Sequence, residues 1–214
     1  MYQPRHFQEQ DSSSLFALMQ AAPLATLVLT TDAGLVANHL PFVLANDQTD
    51  AVVLQAHIPK ANPLHDWLAT PRSALAIFHG PEGYISPSHY ATKQAHGKVV
   101  PTWNYAVAHV HGTLRRVDDE AWLDAQLEAL TRLQEQHRDA PWAVGDAPAP
   151  YLKALKSVLV GIELTVERME GKNKASQNQP AVNRASVLAG LRAEAPDAAL
   201  TAWMQATLAD PDER

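Results

Sequence analysis

Residues 105–117 read YAVAHVHGTLRRV. The even positions Ala106, Ala108, Val110, Gly112 and Leu114 are small or apolar. The odd positions Tyr105, His109, His111, Thr113 and Arg115, with Val107 among them, are mostly polar or amphipathic. Side chains alternate across a strand, so this stretch reads as a long strand with one core face and one histidine-bearing face.

The same two-faced pattern recurs on either side of it. In residues 35–44, Val36, Leu40, Phe42 and Leu44 share a face with Asn38, and His39 lies on the other. In residues 51–58, Val52, Leu54, Ala56 and Ile58 oppose Val53, Gln55 and His57. LATLVLTT and LVANHLPFVLA flank Asp32, Ala33 and Gly34, a hairpin whose turn calls for the positive φ that Gly34 supplies. SALAIFHG is a further strand, with Pro81, Glu82 and Gly83 turning the chain into YIS, and SVLVGIELTVERM is the last strand. Helices are expected after a cap among Ser12 to Ser14, over the acidic stretch 118–138, at YLKALK, and as a pair over roughly 183–209 split by Pro196. About six antiparallel strands with one apolar face each suggest a small closed barrel, mainly β with peripheral helices.

The 214 residues suffice for one full-sized domain, or one with a small appendage. With 23 acids against 17 bases, the overall field repels nucleic acid and anionic membrane, so any anion must meet a local basic patch. The chain has no cysteine, which excludes disulfides, thiolate metal sites and a cysteine nucleophile. The opening MYQPRHFQEQDSSS lacks the succession of a signal peptide, and no apolar run reaches membrane-spanning length. A soluble cytoplasmic protein without membrane partners is the expectation.

The chain also lacks a G-x-G-x-x-G stretch, a Walker loop, H-E-x-x-H and G-x-S-x-G, which argues against dinucleotide folds and nucleoside triphosphatases. His109 and His111 point the same way along their strand and could share a metal with His39 or His57. No carboxylate in these strand segments completes a site, so hydrogen-bonded contacts are preferred and no metal is expected.

Charge is distributed unevenly. From Gly83 to Val117 there is no Asp or Glu, but there are Lys93, Lys98, Arg115 and Arg116. A second acid-free window, Gly171 to Ala193, carries Lys172, Lys174, Arg184 and Arg192. Both windows facing one bound anion is one explanation, and chance plus acidic helices is the other. Three stretches could form a site. HIPKANP places His57, Lys60 and Asn62 before a short helix, an arrangement that suits a phosphate or simply a capped turn. VPTWNY offers Thr102, Trp103 and Asn104, either a border for a planar heteroaromatic ligand or a tryptophan core anchor. GKNKASQN, with Lys174, Ser176 and Gln177, is a donor-rich clasp or a flexible polar loop.

Taken together, MYQPRHF, NHLPF, LQAHIPKANP, GYISPSHY, GKVVPTWNY, HVHGTLRRVDD and GKNKASQN resemble the PaiB-type FMN-binding negative transcriptional regulators. That family belongs to the FMN-binding split barrels related to pyridoxamine phosphate oxidase. His89, Ala175 and Asn173 depart from its pattern, standing where an aromatic residue, a leucine and an aromatic residue are expected. The resemblance implies a six-stranded antiparallel Greek-key split barrel over residues 1–170, with an inserted helix at 118–138. It also implies a cofactor-contacting loop and helical appendage over 171–214, and a homodimer holding FMN at the subunit interface.

An FMN phosphate near the acid-free windows would explain the missing carboxylates, since a carboxylate beside a dianion opposes binding. By resemblance, Lys60 is the first choice for the phosphate, with Lys93 or Lys98 and Lys174 brought toward it. Thr102, Trp103 and Asn104 would border the ring or ribityl chain, Ser176 and Gln177 would add donors, and His39, His57 and Asn62 would lie on the ligand side. Three functions are carried forward: an FMN-binding regulator, a flavin oxidoreductase on a small substrate (served by His89, His96 or Tyr90), and a haem-binding relative. DNA contact is weakly supported, because the C-terminal helices offer only Arg184 and Arg192 and end in the acidic ADPDER.

Overall fold

The computed structural model describes residues 1–46 and 51–208. The elements are β1 (Gln8–Glu9), α1 (Ser12–Ala21), β2 (Leu24–Thr31), β3 (Gly34–Pro41), β4 (Val43–Asn46), β5 (Val52–Pro59), α2 (Leu64–Trp67) and β6 (Arg72–Ile85). They continue with α3 (Lys93–His96), β7 (Thr102–Val117), α4 (Glu120–Glu135), α5 (Ala149–Ser157), β8 (Leu159–Lys174), α6 (Ala181–Glu194) and α7 (Ala199–Leu208). The residues form two compact units. One comprises Met1–Leu18, His79–Ala108 and the chain from Glu170 onward; the other comprises Met19–Phe78 and His109–Met169.

The second unit is built on the strand order β3-β2-β6-β7-β8-β5-β4. β2 and β3 form the expected hairpin, with Thr26 opposite His39 and Leu27 opposite Asn38. Gly34 sits at φ 101, and Thr31 Oγ1 accepts from Ala33 N at 3.2 Å to close the turn. β5 pairs antiparallel with β8, placing His57 opposite Gly161. The interior is made of Leu27, Leu29, Phe42, Leu54, Ile58, Phe78, Leu114, Ile162 and Leu164. Each large side chain so buried contributes about 1.5–3 kcal/mol.

α4 lies against β4 and β5. Its start is capped by Asp119, whose carboxylate accepts from Trp122 N at 2.8 Å. Trp122 then packs against Gly161, where even a Cβ would collide with the indole. Beneath the helix, the buried Glu163 carboxylate accepts from Arg115, from Gln55 Nε2 at 3.1 Å and from Trp122 Nε1 at 3.3 Å. A buried carboxylate is tolerated only when so surrounded.

In the first unit, β1 pairs with β8 through Gln8 opposite Lys172. α1 is capped by Asp11, ahead of the expected serines: its carboxylate accepts from Ser13 N at 3.1 Å and from Ser14 N at 3.3 Å. α6 and α7 pack on each other. Ile85, Tyr90, Ala175, Val187, Leu191, Leu200 and Met204 form their shared core.

The class is as expected, mainly antiparallel β with helices, but three details are corrected. Among the described residues the sheet has eight strands rather than six, and its path is open, with β3 and β4 at its ends, rather than closed. β1 is added at one end of β8, and LVANHLPFVLA is two strands, β3 on β2 and β4 on β5. The break falls where Pro41 lacks an N–H and where Phe42 turns inward, its own N–H donating to Pro23 O at 2.9 Å. Pro81 and Gly83 lie inside the continuous strand β6 and make no turn. The chain's acidic end, 209–214, lies outside the described residues.

Candidate functional site

The residues singled out from sequence fall into both units. Lys93, Lys98, Thr102, Trp103, Asn104, Lys174, Ser176 and Gln177 belong to the first; His39, His57, Lys60 and Asn62 belong to the second.

In the first unit the two acid-free windows meet. Lys174 Nζ donates to Thr102 Oγ1. Asn104, fully buried, donates from Nδ2 to Ser176 Oγ at 2.9 Å and lies 3.3 Å from Met204 Sδ. Its Oδ1 is buried with no hydrogen-bond partner. Such a carbonyl costs about 1–3 kcal/mol until a donor meets it.

Ser176 is the non-glycine residue with positive φ among the described residues, at 66°. Gln177 ties the loop to itself: its Oε1 accepts from Ala175 N and its Nε2 donates to Asn173 O, each at 2.7 Å. Gln177 therefore shapes the loop, and Ser176 occupies a left-handed conformation stabilised by its surroundings.

The electrostatics of this patch favour an anion. Burial pushes the Lys174 ammonium below its usual range; the Tyr105 phenol raises it, and the neighbouring Lys172 lowers it again. Its partner is a neutral hydroxyl, so its charge is desolvated without a carboxylate to balance it. Lys172 Nζ stands 5.3 Å from the Tyr105 ring centroid and donates to Tyr2 O at 3.3 Å. Trp103 is 54% exposed and meets Tyr84 edge-on, centroids 6.2 Å apart. A half-exposed indole backed by a second ring is a wall, not a core anchor. Lys98 and Lys93 are carried on the Ser86–Lys98 segment, where Lys93 Nζ reaches Ser88 Oγ at 3.5 Å.

These contacts fit FMN. They supply a cation without a carboxylate partner that suits a phosphate, and an exposed aromatic face that suits a ring system.

The second-unit residues are largely engaged. Asn62 uses both ends of its amide, donating to Asn38 Oδ1 at 3.0 Å and accepting from Leu64 N at 2.9 Å. It is the cap of α2. His57 Nδ1 meets Gln126 Oε1 at 2.8 Å under α4, and His39 Nδ1 meets Thr26 Oγ1 at 3.2 Å. The β5 face read as a ligand surface is thus covered by α4.

Lys60 Nζ donates to Ser157 O at 2.7 Å. It lines a cleft of about 330 Å³ with Lys153 and Lys156, but also with Asp118, Asp119 and Glu120. Those carboxylates oppose a phosphate dianion at this point.

Sequence reasoning missed Tyr84, Met204 and Asn183, and it named Lys172 and Tyr105 without foreseeing that they meet. Asn183 carried a signal: it begins the 183, 187, 191 inner stripe of α6, where Val187 and Leu191 are apolar. A polar residue opening such a stripe has a buried partner to meet.

The chain is thus an open antiparallel sheet protein with lysine-rich, acid-free loops beside exposed aromatic rings. Residues 1–168 match the family model described as "Putative FMN-binding domain", and the chain belongs to that family, with FMN as its cofactor. It is 34% identical to uncharacterized protein AN0679 of Emericella nidulans, over 85% of this chain and 86% of that one. It is 27% identical to the Bacillus subtilis protease synthase and sporulation protein PAI 2, over 91% of this chain and 90% of that one. Among solved structures, the FAD and heme binding protein from Mycobacterium smegmatis shares the fold at TM-score 0.58 and 20% identity, covering 78% of this chain and 73% of that one. The family match ends before Lys174, Ser176, Gln177, α6 and α7.

Proposed function

We propose that this chain is a homodimeric, cytoplasmic FMN-binding protein acting as a negative transcriptional regulator of the PaiB type. The observation that carries the flavin site is the meeting of the two acid-free windows, Lys174 on Thr102 and Asn104 on Ser176. In this reading Lys174 provides the principal charge for the phosphate, aided by Lys93 and Lys98. Thr102 and Trp103 border the ring or ribityl chain, with the buried Asn104 behind them.

The regulatory role draws support from the relative whose name links it to protease synthesis and sporulation. A second copy has apolar surface to cover: Tyr84, Val100 and Trp103 in the first unit, and Leu24 and Leu35 in the second, are each more than half exposed. Direct base reading by α6 has little to use. Its exposed positions are Ala181, Val182, Ala185, Ala189, Arg192, Ala193 and Glu194, so Arg192 is the one cation among them, with Arg184 partly buried beside them. Among the described residues, no helix is long and apolar enough to cross a membrane.

The reading is tested by recording the visible spectrum of the purified chain before and after adding FMN, with light scattering for mass and promoter retardation at low salt. Saturable flavin binding by a dimer, with retardation that weakens steeply as salt rises, is the expected result. A monomer that leaves the flavin spectrum unchanged overturns the site, and absence of any retardation at low salt overturns direct regulation.

A further inference from the structure

α6 holds the Ser86–Lys98 segment along its whole length. Near its start, Asn183, 3% exposed, accepts from Thr92 N at 3.1 Å through Oδ1 and donates to Thr92 Oγ1 at 3.0 Å through Nδ2. One turn on, Ser186 Oγ accepts from Ala91 N at 3.0 Å. Further along, Gly190 lies flush against the His89 ring, where a Cβ would come within 2.6 Å of Cδ2. At the helix end, Glu194 Oε1 pairs with His89 Nε2 at 2.9 Å. Positions 183, 186, 190 and 194 recur at helical spacing, so a single face makes every one of these contacts.

The segment so held has little core of its own. Between Ser86 and Lys98 only Tyr90 is buried, and it is buried among α6 and α7 residues. The other acid-free loop is fastened to the same helix pair. Ala175 belongs to that core, and Asn104, bonded to Ser176, touches Met204 of α7. Of the three positions that depart from the family pattern, His89 and Ala175 are contacts with these helices, whereas Asn173 donates to Glu9.

We propose that α6 and α7, beyond the family-matched residues, are the positioning element of the flavin site, with Asn183 as the principal positioning residue. They hold the Ser86–Lys98 segment and the Gly171–Asn178 loop in the arrangement that FMN requires. This rests on the site reading given above. The helix pair then serves the cofactor rather than DNA, and the alanine-rich outer face of α6 is what a purely internal role leaves behind.

The test titrates FMN into the full chain and into Thr92→Val, Ser186→Ala, Asn183→Asp and Asn183→Ala, following flavin fluorescence. The unfolding midpoint of each flavin-free protein is measured in parallel. Losing one of these hydrogen bonds weakens FMN binding by up to about tenfold. Asn183→Ala weakens it most, and Asn183→Asp, which keeps the acceptor for Thr92 N, recovers part of the loss. The flavin that remains bound shows an altered visible band, which a merely structural role would not produce.

Should the milder variants Thr92→Val and Ser186→Ala keep full affinity, or lose it only in proportion to their stability with an unchanged band, the positioning role is overturned. Absence of FMN binding by the unsubstituted chain is a different outcome, and it overturns the site reading together with this one.

Discussion

Asn104 and Ser176 lie 72 positions apart, yet Asn104 Nδ2 donates to Ser176 Oγ at 2.9 Å with both side chains shielded from water. That bond joins the start of β7 to the loop after β8, where Ser176 has positive φ. It is the clearest mark that the two acid-free windows form one surface.

Ser176 therefore combines two opposing effects. Ser176→Ala keeps the strained backbone and loses the hydroxyl, whereas Ser176→Gly loses the same hydroxyl but relieves a left-handed strain of about 1–2 kcal/mol. The glycine variant is expected to unfold at higher denaturant than the alanine variant. Chemical denaturation of both, with equal m-values, checks this.

Lys174 gives a pH signature with a defined sign. Its folded value is lowered by burial from the usual 10.5, so the folded chain sheds this proton before the unfolded chain does. Between the lowered value and 10.5 the unfolded state binds more protons, and stability without flavin rises with pH through that window. Lys174→Met is expected to abolish this alkaline rise and to stabilise the flavin-free protein at neutral pH. The same substitution weakens FMN. In the parent chain FMN affinity falls as pH climbs through the lowered value, while riboflavin, which lacks the phosphate, shows no such fall. Titrations of both ligands across alkaline pH provide the measurement.

Asp11 acts in the opposite range. The Ser13 backbone N–H, followed by the Ser14 hydroxyl, lowers its carboxyl below the usual 3.8. Its contribution is fully present above 3.8 and is lost as pH falls through the folded value. Asp11→Ala is expected to lower the thermal midpoint at neutral pH and to leave it unchanged at the acid end. A pH series of melting curves for the pair tests the convergence.

Gly161→Ala drives a methyl into Trp122, displacing the indole and, with it, its hydrogen bond to Glu163. A loss of roughly 1–3 kcal/mol is expected from overpacking of this kind. Tryptophan fluorescence should shift to the red as Trp122 is pushed toward water. An unshifted spectrum with unchanged stability would show that α4 moves freely over the sheet.

Much of this was legible locally. The alternation in residues 105–117 marks a strand, Asp32 to Gly34 marks a hairpin, and Pro196 separates two helices, because each signal spans only a few residues. The reading failed where a local signal met a longer-range one. Pro81 and Gly83 look like a turn, yet β6 runs straight through them. Elsewhere the structure adds neighbours that no local signal names: Gln126 from α4 meets His57, and Asp118, Asp119 and Glu120 share a cleft with Lys60.

By itself, the sequence determined most of the strand segments, which faces are apolar, and where carboxylates are absent. Those properties follow from residue type and from periods of two and 3.6 residues, which any short window contains. Only the tertiary structure decided that Lys174 meets Thr102, that Asn104 meets Ser176, and that Glu194 reaches His89 across 105 positions. Contacts so distant in sequence are set by how buried apolar surfaces pack, and no local pattern encodes which of two loops a helix will hold.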